Sequence, residues 1–133
     1  MRPEVFSPPT LFDGAPYEYA AVAPPGARLV FAAGACPLND AGEILAPGDY
    51  ELQARAALDT LRLALAAAGS SFEQLLKTTV YVASDDRAQL VRVWRVVEET
   101  FSPARPPSTL LGVAVLGYPG QLVEVEAVGL ASA

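Results

Sequence analysis

Two stretches of the chain repeat apolar residues at every third or fourth position, which is the period of an amphipathic α-helix. In residues 49–68 the repeating positions are Ala54, Leu58, Leu61, Leu65 and Ala68. Gly69 follows them, at a point where helices commonly end in a left-handed residue. The second stretch is roughly Arg87–Phe101, preceded by the N-cap side chains of Ser84-Asp85-Asp86 and followed by Pro103. The pattern therefore predicts two long helices, with Trp94 of the second helix in the core.

Shorter runs of apolar and β-branched residues predict strands around these helices. Turn residues separate them, and Gly117-Tyr118-Pro119-Gly120 predicts a four-residue hairpin turn that joins the last two strands. The predicted strands are Ala20–Val22, Leu29–Ala35, Lys77–Val82, Ser108–Leu116 and Gln121–Leu130, with a short one at Glu43–Leu45. The order ββαβαββ predicts one two-layer α+β domain over residues 1–133, with a mostly antiparallel sheet and both helices on one face.

The composition adds an expectation about assembly. Apolar residues make up 52% of the chain, charged residues only 18%, and the mean hydropathy is +0.29. A domain of 133 residues does not usually bury that much apolar surface by itself. The sheet face without helices is expected to pack on other copies of the chain, which predicts a homo-oligomer.

Charge and residue types exclude several classes of function. The chain has no histidine, which excludes Ser-His-Asp catalysis and most zinc sites, and nothing in it indicates a metal or cofactor. The net charge of −6, with scattered basic residues, argues against nucleic acid as a partner. No long apolar run predicts a membrane span, and no signal peptide is recognised. The single Cys36 fits a reducing cytosol, and we interpret it as a small buried apolar residue because no activating base is evident.

Five short motifs give the chain a more specific resemblance. They are Ala15-Pro16-Tyr17, Phe31-Ala32-Ala33-Gly34, the segment from Ala67-Ala68-Gly69-Ser70 to Lys77-Thr78-Thr79-Val80-Tyr81-Val82, Gly112-Val113-Ala114, and Val123-Glu124-Val125-Glu126-Ala127. In this order they resemble the YjgF/RidA family of trimeric imine deaminases. The resemblance implies a chorismate mutase-like fold and a homotrimer, with a small-molecule cleft at each subunit interface.

The resemblance also implies which residues belong to the cleft. Glu124 resembles the glutamate that positions the hydrolytic water, and Tyr17 and Gly34 match two further cleft positions. The residues themselves allow another interpretation of Glu124. It alternates with apolar neighbours and shares one strand face with Glu126, roughly 7 Å away, as on the solvated face of an edge strand.

One functional position departs from the family pattern. The arginine that binds the substrate carboxylate stands five residues before the valine of the Gly-Val-Ala motif, and Ser108 occupies that position here. A serine supplies one neutral donor where a guanidinium supplies two charge-assisted hydrogen bonds. Arg105 lies three residues upstream and is a candidate to reach back, although Pro106-Pro107 directs the chain away. Two further cleft positions carry Val91 and Leu110.

Three functions remain open on this basis. The first is imine or enamine deamination with Glu124 activating water. The second is a different hydrolytic or binding role, with the cleft adapted to a less acidic small molecule. The third is a non-catalytic trimer that binds ligands or proteins. The missing arginine favours the second over the first, whereas Tyr17, Gly34 and Glu124 disfavour the third.

Overall fold

A computed structural model describes residues 1–132, and its elements follow the predicted order with one additional strand at the start. The α+β prediction is confirmed. The extra strand, β1, was not predicted because its three residues are followed by a long irregular stretch. The elements are β1 (Glu4–Phe6), β2 (Ala20–Val22), β3 (Arg28–Ala35), α1 (Tyr50–Ala67), a 3₁₀ turn (Phe72–Gln74), β4 (Leu75–Ala83), α2 (Arg87–Phe101), β5 (Ser108–Val113) and β6 (Val123–Ala131).

The main sheet has the strand order β3-β6-β4-β5, while β1 and β2 form a separate antiparallel pair. β6 runs antiparallel to both of its neighbours, and β4 and β5 are parallel. The predicted hairpin between the last two strands is therefore wrong. The crossover through α2 sets β5 beside β4, so the chain has to pass the end of β4 before it pairs as β6. A turn does exist there, closed by the Gln121 amide on the Tyr118 carbonyl at 3.0 Å.

Side-chain caps set the ends of both helices. Asp49 caps α1 by accepting a hydrogen bond from the Leu52 amide, and Asp86 caps α2 in the same way through Ala88. Gly69 has a φ of +79°, which is the left-handed conformation expected after α1. The predicted strand at Glu43–Leu45 is reduced to one isolated bridge between Leu38 and Ile44. No helix in the described chain combines the length and the apolar character needed to cross a bilayer.

Both helices pack on one face of the main sheet. Alternate residues of the two central strands point to the helices, so they form one continuous core with the apolar stripes of α1 and α2. Fully or nearly fully buried members include Leu58, Leu61, Leu65, Val80, Val82, Val93, Val97, Val123 and Val125. The opposite sheet face is open in a single chain. There Phe31 is 73% exposed and Leu111 is 43% exposed.

Candidate functional site

Glu124 lies on the open face of the sheet, at the start of β6. Its strand neighbours Val123 and Val125 are fully buried against the helices, so the intervening side chain points away from them. It is paired in register with Tyr81 of β4. Glu126 shares the same face, as the alternation in the sequence predicts.

Two side chains hold the same oxygen of Glu124. The Nε2 of Gln121 donates to Glu124 Oε1 at 3.1 Å, and the Cys36 thiol donates to that atom at 3.2 Å. Gln121 is only 3% exposed, so its amide is fixed by the surrounding protein rather than by solvent. The carboxylate is therefore oriented through Oε1. Both hydrogen bonds go to a charged group, which strengthens them, and the amide is the stronger donor because a thiol donates only weakly.

Gly34 lies directly against this carboxylate. A Cβ atom built on Gly34 would approach Glu124 Oε2 to 2.3 Å, which no side chain could tolerate without movement of the carboxylate. The absence of a side chain at Gly34 therefore leaves room for the Glu124 carboxylate to lie over β3.

The strand pairing explains why Cys36 reaches Glu124. Ala32 pairs with Ala127 and Ala35 pairs with Val125, so three steps along β3 match two steps along β6. The extra residue of β3 is a β-bulge, and bulges change the direction in which the following side chains point. Gly34 and Cys36 lie at and just beyond this irregularity.

The Cys36 thiol is a hydrogen-bond donor at neutral pH rather than a nucleophile. Burial, followed by the hydrogen bond to Glu124 and the negative charge of Glu124, raises its pKa to about 11. The thiol is half-buried, so the interpretation of Cys36 as an inert apolar residue is corrected: it has a polar partner in the candidate site. It remains true that no base activates it.

A second polar group lies beside Glu124 on the same face. The Tyr81 hydroxyl donates to Glu126 Oε1 at 2.6 Å, and this hydrogen bond is the main cause that raises the Tyr81 pKa above its ordinary value. Lys77 donates to the Thr109 hydroxyl at 2.6 Å. A cavity of about 200 Å³ adjoins this group and is lined by Phe31, Ala32, Lys77, Thr79, Glu126, Ala127 and Val128.

Tyr17 and Arg105 lie in a different part of the chain from Glu124. The Tyr17 ring packs edge-on against Trp94 of α2, with 6.3 Å between centroids. The Arg105 guanidinium donates to the Ala15 carbonyl, and the Arg105 carbonyl accepts from the Glu18 amide at 2.9 Å. Tyr17 is thus part of the segment that precedes β2, and Arg105 is bonded to that segment.

Ser108 lies on the helix side of the sheet, opposite Glu124. It is paired in register with Thr78, which is fully buried, and it accepts a hydrogen bond from the Thr78 hydroxyl at 2.7 Å. Of the five residues expected in the cleft, a single chain thus brings Gly34 and Glu124 together and leaves Tyr17, Arg105 and Ser108 apart from them.

Cys36 and Gln121 were not predicted as neighbours of Glu124. Their sequence context, next to a proline and at the end of a turn, carries no signal of a shared partner. Within residues 1–132 no group of three Cys, Asp or Glu residues is arranged to hold a metal ion. The site offers one carboxylate, one thiol and one amide, and such a carboxylate can transfer protons to and from water.

Comparisons with known proteins agree with this fold and its extent. The family model described as Endoribonuclease L-PSP matches residues 14–131. The chain is 29% identical over 115 residues to Protein DfrA of Myxococcus xanthus, which covers 86% of this chain and 85% of that protein. It is 29% identical over 101 residues to a RutC family protein of Pyrococcus horikoshii, which covers 76% of this chain and 78% of the relative.

Solved structures show the same likeness. YyfB of Yersinia pestis, a protein of unknown function in the conserved Rid family, superposes with a TM-score of 0.89 at 25% identity and covers 98% of this chain and 99% of its own. The YjgF gene product of E. coli gives a TM-score of 0.68 at 28% identity and covers 90% of each chain.

Proposed function

Because the chain belongs to the endoribonuclease L-PSP family, which includes the YjgF and Rid proteins, we propose that it hydrolyses small imines or enamines in clefts between the subunits of a homotrimer. The reaction adds water across the C=N bond and then breaks the C–N bond, which yields a carbonyl compound and ammonia or an amine. Glu124 takes the proton from the attacking water and returns it to the leaving nitrogen.

The geometry of the Glu124 carboxylate carries this proposal. Gln121 and Cys36 both donate to Oε1, and among residues 1–132 no donor reaches Oε2. The second oxygen lies over Gly34, where the absence of a side chain leaves room for it. A carboxylate that is oriented through one oxygen and has the other unoccupied by protein donors suits the role of a general base for water.

A single chain supplies only part of such a cleft. Ser108 and Glu124 lie on opposite faces of the sheet, and Tyr17 and Arg105 are bound to the N-terminal segment. The open face around Glu124 also exposes apolar side chains, Phe31 and Leu111 among them. A second copy that covers this face would bury them and add the missing walls of the site, which is why we place the cleft between subunits.

The charges near Glu124 define the ligand that fits. Glu124 and Glu126 share this face, and Ser108 stands where the resemblance implies a carboxylate-binding arginine. The Lys77 ammonium on the same face is bonded to Thr109, away from Glu124. A carboxylate on the ligand would therefore meet negative charge without a bidentate cation. We expect a neutral imine or a protonated iminium without a carboxylate.

Cleavage of RNA, which the name of the family model suggests, is not favoured here. The chain carries a net charge of −6 and no histidine, so it offers neither a basic surface for phosphates nor an imidazole for acid–base catalysis.

The test uses an imine without a carboxylate. A flavin-dependent amine oxidase acting on benzylamine generates such an imine in situ, and competition with semicarbazide reports its lifetime. The unmodified protein should shorten that lifetime, and Glu124→Gln should abolish the effect. If the lifetime is the same with and without the protein, imine hydrolysis is not its function.

A further inference from the structure

Gln53 is a buried polar residue of α1 whose side chain bonds entirely to the main chain of other segments. Its relative exposure is 0%. Its Nε2 donates to the carbonyls of Ala46 at 3.3 Å and Gly120 at 3.1 Å, and its Oε1 accepts from the Leu122 amide at 2.8 Å. A buried carboxamide has to be bonded in this way, because an unpaired one is costly.

Two of these hydrogen bonds lie on either side of Gln121. Gly120 precedes Gln121 and Leu122 follows it, so Gln53 fixes the main chain at both flanks. The Gln121 side chain is fixed in turn, because its Oε1 accepts from the Tyr118 amide at 3.2 Å and its Nε2 donates to the Val123 carbonyl at 3.1 Å. That same Nε2 donates to Glu124 Oε1. A continuous set of hydrogen bonds thus runs from α1 to the carboxylate.

We propose that Gln53 is a positioning residue for Glu124 and acts through the main chain on both sides of Gln121. The proposal rests on the proposed function, in which Glu124 activates water. The segment between β5 and β6 has no regular secondary structure whose hydrogen bonds could hold its main chain. The Gln53 side chain supplies such hydrogen bonds instead. The orientation of Glu124 is then set by a residue that does not touch it.

A purely structural role for Gln53 is the alternative, and the Cys36 thiol distinguishes the two. The thiol pKa depends on Glu124, which raises it through a hydrogen bond and through its charge, while Gln121 lowers it by a smaller amount. Loss of the correct Glu124 position should therefore lower the thiol pKa. Because Cys36 is the only cysteine, its alkylation rate can be followed without interference and without any substrate.

The experiment measures the rate of Cys36 alkylation by iodoacetamide against pH in four folded proteins and one further control variant. They are the unmodified chain, Gln53→Met, Glu124→Gln and the double variant. Gln53→Met should move the inflection to lower pH; half a pH unit corresponds to about a threefold faster rate below it. The double variant should match Glu124→Gln alone, because both changes act through the same carboxylate. Gln89→Met on α2 should follow the unmodified chain, because within residues 1–132 the Gln89 side chain makes no hydrogen bond to the Gln121 segment.

Two results would overturn the proposal. One is a Gln53→Met profile that coincides with that of the unmodified chain. The other is that Gln53→Met accelerates alkylation equally in the unmodified chain and in the Glu124→Gln variant, which would mean that Gln53→Met merely exposes the thiol. If Gln53→Met does not fold, Gln53→Glu replaces it in the same comparison, because it keeps an oxygen that can accept from the Leu122 amide and loses the donor to the Gly120 carbonyl. Since the readout needs no turnover, a failure of the deaminase proposal would appear separately in the imine assay.

Discussion

The Cys36 thiol donates a hydrogen bond to Glu124 Oε1 across 3.2 Å, so the only cysteine of the chain touches the carboxylate that we propose as the general base. The thiol has a pKa of about 11, with burial as the largest cause and the hydrogen bond to Glu124 as the next. The reactivity of the thiol therefore depends on the charge and the position of the Glu124 carboxylate.

This contact predicts a change in thiol reactivity. Glu124→Gln removes the negative charge, so the Cys36 pKa should fall below about 11 while staying above the ordinary value of 9.0, because burial remains. Alkylation at pH 9 should become faster. Glu126→Gln is the matched control on the same strand face and should leave the rate unchanged. An unaltered rate in Glu124→Gln would mean that the hydrogen bond does not form in solution.

Catalysis should respond to Glu124 and not to Glu126. Glu124 is held through Oε1 by the buried Gln121 amide and has its Oε2 over Gly34, whereas Glu126 is bonded only to the Tyr81 hydroxyl among residues 1–132. Glu124→Gln should lower the hydrolysis rate by about 10²-fold or more, as loss of a general base does. Both variants should melt within a few degrees of the unmodified protein in a thermal denaturation experiment. Equal behaviour of the two variants would mark both glutamates as surface charges.

Gly34 should be needed for catalysis because it leaves space for the Glu124 carboxylate, and not because of its backbone conformation. The built Cβ meets the Glu124 carboxylate at 2.3 Å, and that carboxylate is the movable end of a flexible side chain. Gly34→Ala should therefore keep the fold, displace Glu124 and reduce hydrolysis nearly as much as Glu124→Gln. Gly117→Ala is the control, since nothing lies within 4 Å of its added Cβ. Retained activity in Gly34→Ala would show that the carboxylate position is not critical.

The sequence predicts the helices and the strand carrying Glu124 because these depend on local periodicity and capping. At the helix ends, Asp49 and Asp86 act as N-caps and Gly69 adopts the left-handed conformation, as their residue types predict. The position of β4 between β5 and β6 depends instead on how the α2 crossover packs, which no local pattern encodes. The contact of Cys36 with Glu124 depends on a bulge in β3, and a one-residue irregularity of register leaves no periodic trace.

The open sheet face predicts a homotrimer. Phe31 at 73% exposure, together with its apolar neighbours, would be unfavourable in water, and the family resemblance implies three copies around a shared axis. Sedimentation equilibrium at micromolar concentration should give about three times the 13.9 kDa chain mass. Phe31→Glu should weaken the assembly, whereas a change at the exposed Leu63 of α1, on the helix side, should not. A monomeric unmodified protein would refute the shared cleft.

The replacement of the expected arginine by Ser108 predicts weak action on substrates that carry a carboxylate. The Ser108 hydroxyl already accepts from Thr78, and it lacks both the charge and the bidentate geometry of a guanidinium. The difference amounts to about 2 kcal/mol or more in a partly buried cleft. Hydrolysis of 2-aminoacrylate, generated from serine by a dehydratase, should therefore be slow or undetectable compared with that of the benzylamine-derived imine.

Two variants test whether the arginine alone decides this preference. Ser108→Arg is not expected to restore 2-aminoacrylate hydrolysis fully, because Val91 and Leu110 also differ from the family pattern and Ser108 faces the helix side of the sheet. Arg105→Ala should leave the rate on the carboxylate-free imine unchanged, since its guanidinium is bonded to the Ala15 carbonyl. Rapid hydrolysis of 2-aminoacrylate by the unmodified chain would contradict the predicted preference. Loss of that activity in Arg105→Ala would then identify Arg105 as the group that binds the carboxylate.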